Sequence, residues 1–84
     1  MGELAKLPNI GKVLERQLEQ VGITTEAQLR AVGSKEAWMA IRAVDPSACL
    51  NRLYALEGAL RDVRWHDLPS EVKAEWRAFY RSVQ

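Results

Sequence analysis

The sequence has little sulfur or imidazole chemistry. Of its 84 residues only one is cysteine and only one is histidine. Cys49 therefore has no partner for a disulfide within the chain, as is usual in the reducing cytoplasm. One Cys and one His argue against a zinc site, so we expect no metal and no cofactor. We expect no catalytic pair of Cys49 with His66 either, because Cys49 falls on the apolar stripe of a predicted helix, where Cys is usually buried.

Long apolar runs and an excess of one charge are also lacking. No segment approaches the roughly 18 apolar residues that a membrane-spanning helix needs, and no signal-peptide apolar region follows Met1. We therefore expect a cytoplasmic protein with no membrane contact. Lys and Arg number 12 against 11 Asp and Glu, so bulk charge gives no support to strong non-specific DNA binding.

Motifs for catalysis are missing as well. The sequence contains no Gly-rich phosphate loop, no dinucleotide fingerprint and no Ser nucleophile elbow. Its carboxylates are spread over predicted helix surfaces rather than paired for acid–base work. We therefore expect no enzymatic activity, assign no catalytic residue and identify no small-molecule substrate.

Apolar stripes with helical spacing are abundant, and no alternating β pattern occurs. They predict a compact all-α single domain of five helices over residues 1–84. The clearest stripes are Ile10, Leu14, Leu18 and Val21; Cys49, Leu53, Leu56 and Leu60; and Val72, Trp76, Phe79 and Val83. The residues expected to be buried are Leu14, Leu18, Ile41, Leu53, Leu56, Trp76 and Phe79.

Helix boundaries are marked by glycines and capping residues. Gly22 follows the first apolar stripe and is predicted to end that helix, since Gly adopts a left-handed backbone without a Cβ clash. Gly33 is predicted to end a short second helix near Val32. Thr25 and Gln28 have the spacing of a capping box that begins the second helix.

Three later signals predict the remaining helix starts. Ser34 is expected to cap a third helix that runs to about Val44. Asp45-Pro46 is expected to begin the fourth helix, because Asp caps free N–H groups and Pro suits the first helical position. Pro69 is expected to open the fifth. Gly58, inside the fourth helix, predicts close approach of another helix, since an interior Gly is otherwise unfavourable.

The most informative segment is Leu7-Pro8-Asn9-Ile10-Gly11-Lys12, which has the layout of a helix-hairpin-helix turn. Asn9 stands where DNA-binding members usually have a first glycine, and Asn also tolerates a left-handed backbone. The following amides and the positive end of the next helix are suited to a phosphate. The candidate nucleic-acid-binding residues are Lys6, Asn9, Ile10, Gly11, Lys12 and Arg16. The same layout also serves simply to pack helices. We expect Gly11→Val to damage the turn.

The chain resembles the C-terminal domain of the TfoX/Sxy competence-regulator family along nearly its whole length. The matching stretches are Leu7–Lys12, Gly22–Thr25, Gly33–Ala37, Asp45–Asn51, Leu53–Ala59 and Arg64–Pro69. The resemblance implies an all-helical fold like that of SAM and helix-hairpin-helix domains, and a role in regulating DNA-uptake genes of bacteria. In full-length members this domain follows an N-terminal α/β domain. The resemblance implies no catalytic residue.

Two functions follow from these observations. The leading hypothesis is a non-enzymatic helical module of a TfoX-like regulator of competence and DNA transformation, which contacts a protein partner or a second copy of itself. The alternative is weak, sequence-tolerant binding of the nucleic-acid backbone through the hairpin turn.

Overall fold

The computed structural model describes residues 3–83, which form five α-helices joined by short loops. The helices are α1 (Lys12–Gln20), α2 (Glu26–Val32), α3 (Ser34–Val44), α4 (Leu50–Arg61) and α5 (Ser70–Ser82). Short 3-10 helices at Glu3–Lys6 and Trp65–Asp67 precede α1 and α5. No strand occurs among these residues, so the predicted all-α fold with five helices is confirmed. None of the helices in this part of the chain combines the length and hydrophobicity needed to cross a bilayer.

The boundaries between α1, α2 and α3 follow the predicted signals. Gly22 and Gly33 each have a φ of 86°, which L-residues with a Cβ rarely adopt. The Thr25 hydroxyl accepts a hydrogen bond from the Gln28 N–H at 3.1 Å, and the Gln28 side chain accepts one from the Thr25 N–H at 3.2 Å. The predicted capping box is therefore confirmed.

The core lies mainly between α3 and α4, with α1 packed beside them. The side chains with little or no exposure on these helices include Leu14, Leu18, Trp38, Ile41, Leu53 and Leu56. Trp76 and Phe79 were also expected to be buried, but they are only partly buried. Their helix, α5, contributes no fully buried residue and lies on the outside of the core. The expected full burial of these two aromatic residues was therefore wrong.

Ser34 links three helices instead of capping α3. Its hydroxyl donates to Glu57 Oε1 at 2.7 Å and accepts from the Trp76 indole N–H at 2.9 Å. Arg61 pairs with the other carboxylate oxygen of Glu57. The residue that caps α3 is Gly33, which provides no side chain for the purpose. The prediction that Ser34 caps α3 was wrong, because its hydroxyl is used in this buried network.

Asp45 and Pro46 form a turn and do not begin α4, which starts at Leu50. The Asp45 carboxylate accepts from the Ser47 N–H at 3.0 Å and from the Ser47 hydroxyl at 2.6 Å. Such a local turn competes with helix formation. Cys49 becomes the residue that immediately precedes α4, and it is exposed. Both the predicted start of this helix and the predicted burial of Cys49 were wrong.

Gly58 does lie at a close approach, but the approaching groups come from the loops before α1 and after α4 and from the start of the 3-10 helix at Trp65, not from another α-helix. The nearest atoms to a Cβ built at this position come from Asn9, from the Val63 carbonyl and from the backbone of Trp65. The expected approach of a helix was therefore wrong. The glycine is needed because the chain before α1 and the chain after α4 both cross this point.

Candidate docking groove beside the Asn9 turn

The chain reverses between the first 3-10 helix and α1 in residues 7–11, which we call the Asn9 turn. Asn9 has a φ of 69°, so its predicted left-handed backbone is confirmed. The Ile10 N–H donates to the Leu7 carbonyl at 3.4 Å and closes the turn. The 3-10 helix Glu3–Lys6 directly precedes this turn.

The side chain of Asn9 points into the fold and holds it together. Its amide Nδ2 donates to the Val63 carbonyl at 2.9 Å and to the Ala55 carbonyl at 3.4 Å. Its Oδ1 accepts from the Trp65 N–H at 3.1 Å. Asn9 thus joins the start of the chain to α4 and to the loop that follows α4. Its side chain makes these internal hydrogen bonds rather than facing a ligand.

The other candidate nucleic-acid-binding residues divide into one buried and four exposed residues. Ile10 is buried in the core. Lys6, Gly11, Lys12 and Arg16 are exposed along the end of the 3-10 helix and the start of α1. Within residues 3–83 the three basic side chains make no ion pair. They form an exposed basic edge beside the Asn9 turn.

The backbone conformation at position 11 does not require a glycine. Its φ is −96° and its ψ is −171°, an extended backbone that any residue adopts. A Cβ at this position would meet no atom within 4 Å. The turn therefore does not require glycine at position 11, and the residue with a left-handed backbone is Asn9. That Gly11→Val damages the turn stays a prediction.

An open groove lies between the first turn of α1 and the first turn of α4, and we call it the α1–α4 groove. Its volume is about 610 Å³. Its lining residues are Asn9, Gly11, Lys12, Val13, Leu14, Gln17, Cys49, Asn51, Arg52 and Ala55. The lining surface is mainly apolar. The groove therefore offers apolar surface with polar groups at its sides.

Val13 is the most exposed large apolar residue of the described chain, at 71%. It lies in the first turn of α1 and forms part of the groove lining. Sequence analysis missed it because Val13 lies off the buried stripe that includes Leu14 and Leu18. The signal available in the sequence was an apolar residue placed outside the helix stripe, directly after the exposed Lys12.

The charges on the groove are positive. Lys12 and Arg52 line it, and its lining contains no Asp or Glu. Arg52 Nη1 donates to Asp45 Oδ2 at 2.9 Å and to Gln17 Oε1 at 3.3 Å, so it is fixed from one side. Hydrogen bonds from the Ser47 hydroxyl and the Arg52 guanidinium hold the pKa of the Asp45 carboxyl well below its ordinary value.

Cys49 and His66 are placed in different surroundings. Cys49 lines the α1–α4 groove, whereas His66 stacks on the Trp65 ring with the ring centroids 4.0 Å apart. The described residues contain no hydrogen bond between Cys49 and His66 and no group of three or more potential metal ligands. The geometry therefore gives no basis for a catalytic pair.

A model of the TfoX C-terminal domain matches residues 1–80 of the sequence. The chain belongs to this family. The TfoX C-terminal domain match covers the Asn9 turn, all residues of the α1–α4 groove and most of α5. No curated protein matches the chain. The resemblance seen in the sequence is thereby confirmed.

Two crystal structures from Listeria monocytogenes have the same fold. A triclinic form of an uncharacterized protein is 50% identical with a TM-score of 0.93, and the match covers 95% of this chain and 91% of that one. A tetragonal form of a protein of unknown function is 49% identical with a TM-score of 0.95, covering 98% of this chain and all of that one. These relatives of the TfoX C-terminal domain support the fold and carry no assigned activity.

Proposed function

We propose that this TfoX C-terminal domain is a non-enzymatic protein-docking module and that partners bind in its α1–α4 groove. The observation that carries the proposal is Val13, an apolar side chain exposed at 71% in an open and mainly apolar groove. Apolar patches bordered by polar residues are typical of protein-binding surfaces.

The energetics favour a partner that covers this residue. Burial of a Val side chain contributes about 1.5 kcal/mol. Because Val13 is exposed in the free domain, a complex that buries it gains this stabilisation. The basic edge beside the Asn9 turn lies next to the groove and is suited to steer an acidic partner toward it. From the family, we further propose that the domain serves in a TfoX-like regulator of competence in the cytoplasm.

Site-specific cross-linking tests the proposal. A photoreactive amino acid is placed at Val13 and, as the matched control, at Val44, which is exposed at 59% but does not line the groove. Cross-linked proteins are identified by mass spectrometry and the complex is rebuilt from purified components. The proposal expects one identified partner, or a second copy of the chain, to cross-link from position 13 and not from position 44. Equal cross-linking from both positions, or none from position 13, contradicts it.

Sedimentation velocity separates self-association from binding to a different protein. If the partner is a second copy, the purified domain sediments as a dimer at high concentration, and Val13→Glu returns it to a monomer. If the partner is another protein, the unmodified domain and Val13→Glu both sediment as monomers. Either result agrees with a docking module, and the cross-linked product tells the two apart.

A second candidate function is binding of a nucleic-acid backbone at the Asn9 turn. It is favoured by Lys6, Lys12 and Arg16, which are exposed and make no ion pair with other described residues. It is weakened by Asn9 and Ile10, whose side chains are used inside the fold. Backbone contacts of this kind give weak and strongly salt-dependent binding.

A titration of labelled DNA duplex at low and moderate salt tests this candidate. Arg16→Glu is the informative variant, because Arg16 lies on the basic edge but does not line the groove. The nucleic-acid function expects binding that Arg16→Glu abolishes at low salt. No binding by the unmodified domain at low salt excludes it and leaves the docking function alone.

A further inference from the structure

We infer that the α1–α4 groove binds a peptide segment in which acidic side chains flank an apolar one. The inference rests on the proposed docking function and adds the chemistry of the partner. It is carried by the charges and the apolar surface that meet in this one groove.

No carboxylate lies in the groove lining, and among the described residues the one acidic partner of its cations is Asp45, which pairs with Arg52 from outside the lining. Lys12 and Arg52 line the two sides, one from the first turn of each helix. Lys12 makes no ion pair with a described residue. A partner with carboxylates therefore gains attraction on both sides of the groove without displacing an internal ion pair.

Arg52 is held in place while part of its guanidinium stays free. Its Nη1 is the atom that bonds Asp45 and Gln17, and no described residue bonds its Nε or Nη2. A guanidinium carries five N–H donors in a fixed plane, so donors remain for a carboxylate of the partner. Asp45 reduces the net charge of the site and fixes the orientation of these remaining donors.

The two helix starts add donors of the same kind. Both α1 and α4 begin without a side-chain hydrogen bond to their first amides. The first N–H groups of a helix have no partner within the helix and carry a partial positive charge. Because residues 11–13 line the groove together with Cys49, Asn51 and Arg52, both helix starts favour a negative group there.

The apolar lining selects a peptide over a nucleic-acid backbone. Val13 provides most of the exposed apolar surface in the lining that it shares with the two cations, and the buried Leu14 and Ala55 add a little. A sugar–phosphate backbone offers anions but no apolar side chain to cover Val13. A peptide with a Leu or similar residue between acidic residues satisfies both features of the groove.

An NMR titration tests the inference with defined probes. The ¹⁵N-labelled domain is titrated with a short acetylated and amidated peptide of sequence Glu-Leu-Glu-Glu-Leu-Glu. The matched control replaces every Glu with Gln, and a short DNA duplex forms the third arm. The inference expects shifts at Lys12, Val13, Asn51 and Arg52 with the acidic peptide, and binding weaker by about ten-fold with the Gln peptide.

Two variants test whether the affinity for the acidic peptide depends on a cation that lines the groove. Lys12→Gln is expected to weaken binding of the acidic peptide by about three- to five-fold, as for one partly exposed charge pair. Arg77→Gln removes an exposed cation on α5 that neither lines the groove nor belongs to the basic edge, and it is expected to leave the affinity unchanged. Equal losses in both variants indicate general attraction to a basic surface and overturn the inference.

The other outcomes are distinct from failure of the docking function. Equal binding of the acidic and the Gln peptides overturns the acidic preference, while an identified partner cross-linked at Val13 keeps the docking function. Shifts at these residues with the duplex but not with the acidic peptide assign the groove to nucleic acid. No shift with any probe also overturns the inference, and the cross-linking experiment then decides the docking function by itself.

Discussion

Asn9 occupies the space that a side chain at position 58 would need. A Cβ built on Gly58 would lie 2.6 Å from Asn9 Nδ2 and 2.8 Å from the Val63 carbonyl oxygen. Asn9 Nδ2 donates to that same oxygen at 2.9 Å. The glycine and the asparagine therefore form one structural unit, in which the absence of a side chain on α4 makes room for the hydrogen bonds of the turn.

Gly58→Ala is expected to destabilise the domain by about 1–3 kcal/mol. An interior Gly→Ala replacement normally stabilises a helix by about 1 kcal/mol, but here the Cβ meets a backbone oxygen that has no room to shift. Urea denaturation followed by circular dichroism measures the change. Gly11→Ser is the control, with unchanged or slightly increased stability, since a Cβ there meets nothing within 4 Å. An increase in stability for Gly58→Ala contradicts the close approach.

Asn9→Gly and Asn9→Ala separate the hydrogen bonds of Asn9 from its backbone conformation. Both variants remove the bonds to Val63 and Trp65, at a cost of about 1–3 kcal/mol. Only Ala adds the strain of a φ of 69°, so it should be about 1 kcal/mol less stable than Gly. Thermal and urea denaturation of the three proteins measure both differences. Asn9→Gly as stable as the unmodified domain would show that the side-chain bonds contribute nothing.

Ser34→Ala is expected to cost about 1–3 kcal/mol, because Glu57 and the Trp76 indole each lose a hydrogen-bond partner. Trp76→Phe removes the indole N–H, so the double variant should be more stable than the sum of the two losses predicts. We expect a coupling of at least about 0.5 kcal/mol in a double-mutant cycle. If the losses in the free energy of unfolding were strictly additive, the hydrogen bond between Ser34 and Trp76 would not contribute to the attachment of α5.

Asp45→Asn is expected to destabilise the domain at neutral pH and to have little effect in acid. Because the pKa of Asp45 is lowered by folding, its contribution is complete above the ordinary value of about 3.9. That contribution is lost as the pH falls from there toward the lower pKa of the folded state. Urea denaturation at pH values from 7 down to 2 should show the two proteins converging in stability. A constant difference over the whole range contradicts a role for the ionised carboxylate.

The sequence predicted those parts of the fold that depend on local residues. Gly22 and Gly33 end helices because their backbones are left-handed, and Thr25 with Gln28 needs only four consecutive residues to cap α2. Apolar spacing also identified five buried residues of α1, α3 and α4, namely Leu14, Leu18, Ile41, Leu53 and Leu56. These features are decided within one or two helical turns, so pattern and propensity are sufficient.

The errors arose where two local preferences or distant contacts compete. Asp45-Pro46 reads as a helix start, but Ser47 lies two residues further and offers the Asp45 carboxylate a turn instead. The Ser34 hydroxyl donates its hydrogen bond to Glu57, which is distant in sequence, and therefore does not cap α3. Trp76 and Phe79 remain partly exposed because a domain of this size has too little other structure to cover α5.

Only part of the candidate site could be predicted from the sequence. The basic residues and the left-handed Asn9 follow from the motif, and the motif alone identifies Lys12 as a candidate. The groove itself requires α1 and α4 to begin side by side, and no local pattern shows that residues 11–13 share a groove with Cys49, Asn51 and Arg52. Val13 is meaningful only once that arrangement is known.

The most direct test of the docking function is the affinity of the purified partner, identified by cross-linking, for two matched variants. Val13→Glu places a charge in the groove, and Val44→Glu places the same charge at an exposed site outside its lining. With both variants folded, we predict that Val13→Glu weakens binding by at least about ten-fold, through lost apolar contact and a desolvated charge. Val44→Glu should bind like the unmodified domain. Equal affinities of the two variants would contradict the assignment of the α1–α4 groove as the docking site.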